Sequence, residues 1–364
     1  MGANLLIAVT ILVQSSPPDT PTQANPTLAS DTIDAEPGSG LAFEQLSDLL
    51  QYNRVQGLSL GIGYRLRVPG VRSGAMYSTV RYGFSDERIT GRVSLVRDVP
   101  EFSISVSGYH DIADLDPFSR GRSISNSLNG LFAAHDNGDY AVADGAAVTL
   151  GVPLGTTWSL SISARAEHQH SAARMARSAI NDFFGGSGLF PANPAIRDGV
   201  FGGLMARISG VRRYRWNMVL DLLGGQGQTT ARVYGGVRRS LGRNRLITVN
   251  IKAGAGTEPS LPQTLFRLGG LNSVRGFEYG TLRTPAFWAT QLDFSPFAGR
   301  VRPVLFIDAG QGARLGDLFS TPALVGGGAG IALFRGLVRL DFSRPISPSP
   351  GRKVRFDLVL QALR

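Results

Sequence analysis

The stretch GLSLGIGYRLRV, from Gly57 to Val68, alternates apolar and polar residues without interruption. Its even-numbered positions are Leu, Leu, Ile, Tyr, Leu and Val, whereas its odd-numbered positions are Gly, Ser, Gly, Gly, Arg and Arg. In a β-strand, successive side chains point to opposite faces, so a period of two sorts residues between those faces. The stretch therefore predicts a strand with one apolar face and one polar face.

The same alternation recurs from residue 57 to the C-terminus. It predicts about sixteen strands, beginning near residues 57, 74, 88, 102, 123, 145, 157, 199, 214, 229, 245, 286, 301, 324, 336 and 353. Most are long enough for a tilted transmembrane strand, which needs ~10 residues. The segment at Ser123–His135 is more polar than the others and only partly periodic.

Two all-β architectures give this alternation: a soluble sandwich and a membrane barrel. A sandwich of so many strands usually divides into several domains, but no linker interrupts residues 51–364. Short connections such as residues 69–73 alternate with long ones such as residues 113–122 and 171–197, which is typical of outer-membrane barrels. We therefore expect a transmembrane antiparallel β-barrel at residues 53–364.

Composition narrows the classes of function. The formal net charge is +10 and the chain has no Cys, which excludes disulfides and thiolate metal sites. Only Lys252 and Lys353 are Lys, and the Arg residues alternate singly with apolar residues, so they indicate a polar barrel interior and not a nucleic-acid surface. The pair at His168 and His170 has no acid cluster beyond Glu167, so we expect no metal site and no cofactor.

The N-terminal residues differ from the rest of the chain. Residues 1–14 have a short apolar core and predict a secretory signal peptide, although no basic residue precedes that core. The apolar run is too short for a membrane-spanning helix. Residues 15–40 are rich in Pro, Ser and Thr and predict a disordered linker, and residues 41–52 have apolar residues at helical spacing, which predicts a short amphipathic helix.

The most specific motif is LFRLGGLNSVRGFEY at residues 265–279, followed about thirty residues later by FIDAG at residues 306–310. Together they resemble the bacterial surface antigen family of outer-membrane protein-assembly barrels, and the resemblance covers residues 52–364. It implies that the Gly-rich loop folds into the barrel and that Arg275 pairs with Asp308. The motif residues in this chain are Gly269, Gly270, Val274, Arg275, Gly276, Phe277, Asp293, Phe306, Asp308 and Gly310.

The strand period agrees with this pairing. Leu292 and Leu305 fall on the apolar faces of two successive strands, so Asp293 and Asp308 fall on the polar faces. The guanidinium of Arg275 is a planar fork of donors that matches a carboxylate better than an ammonium does. We expect Arg275 to contact Asp308, with Asp293 beside it.

The resemblance also implies a function. Barrels of that family insert or export polypeptides, which suggests a bacterial outer-membrane protein with lipid and unfolded outer-membrane or secreted polypeptides as partners, acting through a seam between residues 57–68 and 354–360. Residues 15–51 are too short for a periplasmic polypeptide-transport-associated domain, so we expect a variant of the family without such domains. The alternative is a passive or substrate-specific pore, or a structural envelope protein. No nucleophile elbow, phosphate loop or catalytic carboxylate pair is evident, so we do not expect an enzyme.

Overall fold

The computed structural model describes residues 39–42, 46–71, 73–242, 246–348 and 353–360. Three α-helices are described: α1 (Leu46–Leu49), α2 (Ile124–Ala133) and α3 (Ala179–Phe183). The strands in these ranges are β1 (Gly40–Leu41), β2 (Leu50–Asn53), β3 (Gly57–Arg67), β4 (Gly74–Gly83), β5 (Ile89–Val99), β6 (Phe102–Asp114), β7 (Tyr140–Leu154), β8 (Trp158–Ser171), β9 (Gly199–Val211), β10 (Arg215–Gly225), β11 (Gln228–Leu241), β12 (Ile247–Gly256), β13 (Phe266–Leu268), β14 (Leu282–Thr284), β15 (Ala286–Phe294), β16 (Val301–Ala313), β17 (Leu324–Leu333), β18 (Val338–Pro345) and β19 (Arg355–Leu360).

Seventeen of these strands form one antiparallel sheet. From β3 to β12, and again from β15 to β19, each strand pairs with the next along the chain, and β12 pairs with β15. The short strands β1 and β2 both pair with β3, while β13 and β14 form a separate two-stranded sheet. The predicted all-β antiparallel fold is confirmed. Within the described ranges, no helix has both the length and the apolar character needed to cross a membrane.

The sheet has its apolar side chains outside and its polar side chains inside. In β3, Leu60 and Ile62 are 46% and 58% exposed, whereas Ser59 is fully buried. In β16, Leu305 and Ile307 are exposed, whereas Phe306 and Asp308 are buried. A soluble sandwich would bury the apolar face instead, so this pattern argues against a sandwich and agrees with the predicted barrel.

A buried core lies between the inner face of the sheet and the long loops. Its main cluster joins Phe118 of one loop and Phe266 of β13 to Tyr234 and Phe287 of the sheet. Phe118 makes edge-to-face contacts with Tyr234 and Phe287, each with ring centroids 5.5 Å apart. The loops are therefore packed against the polar face by a local apolar core.

The strand predicted near residue 123 is wrong, because this segment forms α2. Ser123 caps the helix by accepting a hydrogen bond from Asn126 N at 3.1 Å, and Ala134 ends it in the left-handed conformation. Ser and Asn are preferred at helix caps, and the partial alternation in this segment does not continue as in a real strand. The loop between β6 and β7 therefore spans residues 115–139 instead of ending near Arg122.

The helix predicted at residues 41–52 is only partly correct. Leu46–Leu49 are helical, residues 43–45 lie outside the described residues, Leu41 belongs to β1, and Leu50–Asn53 form β2, which pairs with β3. The sheet consequently begins before residue 53, because Gly40 already pairs with Arg65. The predicted signal peptide at residues 1–14 and all but the last two residues of the predicted linker lie outside the described residues.

Candidate functional site: an arginine lock

The Gly-rich loop lies at residues 257–285, between β12 and β15. Its ends are joined by the pairing of β13 with β14, and its tip turns back through a hydrogen bond from Gly270 N to Phe277 O at 3.0 Å. Gly276 has a φ of +91°, and a Cβ on it would lie 2.4 Å from the carbonyl carbon of Arg344. Glycine is required there because the loop passes directly against the backbone of the sheet.

Arg275 at the loop tip is buried and bonded to Asp308 of β16. Its backbone N donates to Asp308 Oδ2 at 2.9 Å, its Nε donates to the same oxygen at 2.7 Å, and its Nη2 donates to Oδ1 at 2.6 Å. The guanidinium thus binds both carboxylate oxygens, the fork geometry that only Arg provides. The structure brings together the two residues that the motif paired.

Three further charged residues, Asp293, Asp341 and Arg339, surround this pair. Together with Arg275 and Asp308 they form what we call the arginine lock. Asp293 Oδ1 lies 2.8 Å from Arg275 Nη2, and Asp341 Oδ2 lies 3.6 Å from Arg275 Nη1. Arg339 donates to both oxygens of Asp293, at 3.0 and 3.2 Å, and to Asp341 Oδ1 at 2.6 Å. Each buried charge therefore has at least one opposite partner.

Packing around the lock explains the remaining motif residues. The Phe306 ring lies under the guanidinium, with Arg275 Cζ 3.9 Å from the ring centroid, a cation–π geometry. Val274 and Phe277 are buried on either side of Arg275. Gly310 leaves room for the loop, since a Cβ on it would lie 3.1 Å from Val274 Cγ2. Gly269 and Gly270 both have positive φ, at +105° and +78°.

Asp341 and Arg339 were not predicted as members of the lock. Their strand parity places both on the polar face of β18, but parity does not show which residues pair across two intervening strands. The available signal was an Arg and an Asp two residues apart on one strand face. That signal also fits a solvated surface pair, so it does not distinguish the lock from an ordinary polar face.

A second ion cluster, not predicted from the sequence, joins the Gly-rich loop to the loop at residues 115–139. Asp139 lies at the end of the loop at residues 115–139, and its carboxylate contacts Arg267 Nε at 3.1 Å, Arg283 Nε at 3.2 Å and Arg54 Nη1 at 3.7 Å. Arg267 and Arg283 face each other across the β13–β14 pair. A single carboxylate thus links the Gly-rich loop, the neighbouring loop and the turn after β2.

Electrostatics favour the charged forms of these loop residues. Burial alone would lower the pKa of Arg275, but Asp308, Asp293 and Asp341 raise it overall. Burial alone would raise the pKa of Asp139, but Arg267, Arg283 and Arg54 lower it overall. Both groups are therefore held charged by their partners in spite of desolvation.

The His pair noted in the sequence lies at the loop end of β8. The His168 and His170 rings are 3.9 Å apart, and His170 Nε2 is 3.7 Å from Asp144 Oδ2. Across the described part of the chain, no group of three His, Cys, Asp or Glu residues is arranged to hold a metal ion. The arginine lock remains the candidate functional site.

Fold and lock define the class: an antiparallel β-sheet protein with an exposed apolar face, whose buried polar face binds its own Gly-rich loop. A family model described as the C-terminal domain of DUF5686, a family of unknown function, matches residues 27–182, less than half of the chain. No curated protein sequence matches the chain.

Among solved structures, the chain is similar to BamA from Haemophilus ducreyi in a form lacking POTRA domains 1-3. The TM-score is 0.57 at 14% identity, over 85% of this chain and 68% of that one. The chain is also similar to CdiB from Acinetobacter baumannii and CdiB from Escherichia coli, with TM-scores of 0.49 and 0.43 at 13% and 16% identity. These matches cover 85% and 88% of this chain but only 57% and 61% of the two CdiB chains.

The BamA match confirms the predicted resemblance to assembly barrels at the level of fold. The two CdiB scores are too low to add to that assignment, and the chain spans less than two thirds of either CdiB. The activity, substrates and partners of this protein are consequently a matter for proposal.

Proposed function

We propose that this protein is a bacterial outer-membrane β-barrel of about sixteen strands that inserts or translocates polypeptides through a seam between its first and last strands. Its partners are then outer-membrane lipid and unfolded outer-membrane or secreted polypeptides. This function involves no catalysed reaction. The observation that carries it is the arginine lock, which anchors the Gly-rich loop to the inner face within a BamA-like fold.

The seam follows from where the sheet starts and ends. The strand β19 pairs with β18, while the short strands β1 and β2 both pair with β3, so β19 lies at one end of this series of strand pairs and β1 and β2 lie at the other. An end strand that separates from its neighbour exposes N–H and C=O groups, which a client strand can bind inside a membrane where water is absent. The Gly-rich loop, bound to the sheet by the arginine lock, stabilises the other strands while the end strands exchange their partners.

The test is the folding of a client in proteoliposomes. The probe is a urea-unfolded eight-stranded outer-membrane barrel, and folding is followed by its electrophoretic mobility. We expect folding to be several-fold faster than in protein-free liposomes. In the Leu50→Cys/Leu358→Cys variant, which has one cysteine on β2 and one on β19, a cleavable bismaleimide should abolish the gain, and cleavage of the reagent should restore it.

Controls use each single cysteine variant treated with the same reagent. Faster client folding that is indifferent to the bridge would rule out the seam as the route. A protein that leaves client folding unchanged but gives large, steady conductance in planar bilayers, indifferent to Arg275→Ala, would instead support the alternative of a passive or substrate-specific pore.

A further inference from the structure

The helix α2 lies between the two end strands of the sheet and bonds to both. Ser127 Oγ accepts a hydrogen bond from Tyr52 N of β2 at 3.0 Å. On the opposite side, Asn129 and Ser125 bond to the backbone of β19. A segment of the loop at residues 115–139 thus occupies the place where the proposed seam would open.

Asn129 bonds to β19 as a neighbouring strand would. Its Nδ2 donates to Leu358 O at 2.9 Å, and its Oδ1 accepts from Leu358 N at 2.7 Å. In an antiparallel sheet, two directly paired residues exchange both bonds in this way. The side-chain carboxamide of Asn129 therefore bonds to Leu358 in the way that the backbone of a paired strand residue would.

Ser125 repeats the contact one helical turn away. Its Oγ accepts from Leu360 N at 2.7 Å and lies 3.3 Å from Leu360 O. Residues four apart on a helix are separated by about 6.0 Å along its axis, and residues two apart on a strand by about 6.6–6.8 Å. These spacings match to within about 1 Å, so one face of α2 satisfies two successive edge positions of β19.

The segment around α2 is anchored on both sides. Asp136, just after the helix, accepts a hydrogen bond from Arg54 N at 2.8 Å, next to β2. His135 Nδ1 lies 3.2 Å from Asp357 Oδ1 of β19. The same loop is held to the Gly-rich loop by Leu271 N, which donates to Asn137 Oδ1 at 3.2 Å.

We propose that α2 is a removable latch that covers the edge of β19 at Leu358 and Leu360, and that a client strand binds this edge after the latch leaves. This inference rests on the proposed function. The helix bonds to the backbone of β19 through side-chain groups of Ser125 and Asn129, whereas an extended polypeptide offers a continuous ladder of backbone groups. Pairing with a client therefore replaces the contacts of α2 with more numerous ones of the same kind.

The first experiment asks whether α2 covers the edge, and it needs no client. Hydrogen exchange at the Leu358 and Leu360 amides is compared between wild type and Ser125→Ala/Asn129→Ala. Loss of a hydrogen bond worth about 1 kcal/mol should speed exchange at these two amides by roughly fivefold, since about 1.4 kcal/mol corresponds to a tenfold change. The matched control is Ser94→Ala/Ser107→Ala, which removes a buried hydroxyl pair 2.9 Å apart between β5 and β6, away from the seam. It should leave both amides unchanged.

The second experiment measures client folding with the latch released or fixed. In the proteoliposome assay, Ser125→Ala/Asn129→Ala should fold the unfolded eight-stranded barrel several-fold faster than wild type. His135→Cys/Asp357→Cys, oxidised to a disulfide, should reduce folding to the protein-free rate, and reduction should restore it. The single cysteine variants are the controls, and the absence of native Cys makes the disulfide unambiguous.

The outcomes separate the latch from the function. Unchanged exchange at Leu358 and Leu360 in the double alanine variant would overturn the latch, whatever happens to the client. A second outcome would overturn the role of α2 in client binding. In it, exchange becomes faster and wild type folds the client, but neither variant changes the rate of client folding. Faster exchange in a protein that folds no client would support α2 as the edge cover and overturn the proposed function, and with it the docking of a client strand.

Discussion

Arg275 shows why one residue type is needed at the loop tip. Its guanidinium binds both oxygens of Asp308, contacts Asp293 and lies on the Phe306 ring. An ammonium is a single strongly hydrated charge and cannot bind two oxygens in a plane while stacking on an aromatic ring. Removal of one member of a buried ion pair leaves an uncompensated buried charge, which is costly.

We expect Arg275→Lys to release the Gly-rich loop and to destabilise the protein by about 1.5–3 kcal/mol, because the ammonium keeps the charge but loses a hydrogen bond to a charged group and the stacking on Phe306. Urea unfolding in detergent micelles measures the stability, and trypsin cleavage after Arg267 and Arg283 measures loop release. Arg212→Lys, in an exposed turn, is the control and should change neither. Equal stability of Arg275→Lys and wild type would mean that the arginine lock does not hold the loop.

At the scale of elements, the Gly-rich loop and the loop at residues 115–139 depend on each other. Asp139 connects them by contacting Arg267 and Arg283, and Arg54 adds the turn after β2. The pKa of Asp139 is lowered by these Arg residues. A carboxyl group with a lower pKa in the folded state stabilises that state above its unfolded pKa of about 3.9, and this stabilisation is lost as pH falls through the folded value.

The loops should therefore stay protected from neutral pH to about pH 5 and lose protection below about pH 4. In Asp139→Asn, protection should already be lower at neutral pH, and the additional loss in acid should be smaller. Hydrogen exchange of residues 265–283, corrected for the intrinsic effect of pH, is the measurement. Asp182→Asn removes a carboxylate from a half-exposed pair and serves as the control. A wild-type acid response that persists unchanged in Asp139→Asn would rule out this carboxylate as its source.

At the scale of the whole molecule, the two faces of the sheet differ in polarity and in exposure. Exposed Leu, Ile and Val side chains form the outer face, while Ser, Asp and Arg side chains lie buried within. Trp158 and Trp216 pack edge to face, 5.3 Å apart, near the short turns that connect β7 to β8 and β9 to β10. Aromatic residues at the ends of strands are typical of the membrane–water boundary.

A charged side chain on the exposed apolar face tests whether that face lies in a membrane. We expect Ile162→Arg, near the middle of β8, to destabilise the folded protein in bilayers by about 2–4 kcal/mol. Thr156→Arg introduces the same side chain in the adjoining short turn, and its cost should be near zero. Denaturant-induced folding into lipid vesicles provides both values. Equal effects of the two substitutions would contradict a membrane position for this face.

Much of the fold follows from local sequence. The period of two fixed most strand positions because side chains alternate across a strand whatever its partners are. The motifs at residues 265–279 and 306–310 pointed to the contact between Arg275 and Asp308. The period failed at α2, where a partly alternating segment forms a helix capped by the hydrogen bond from Asn126 N to Ser123 Oγ. It also failed at β2, where the apolar residues have helical spacing but form a strand.

By itself, the sequence determined the all-β class, the division of each strand into apolar and polar faces, and the residues at the centre of the arginine lock. Only the tertiary structure decided that Asp341 and Arg339 join this lock, that Asp139 links two loops, and that α2 bonds to β2 and β19. These contacts connect residues up to 235 positions apart. No local period encodes them, because they depend on how the sheet brings its distant strands and loops together.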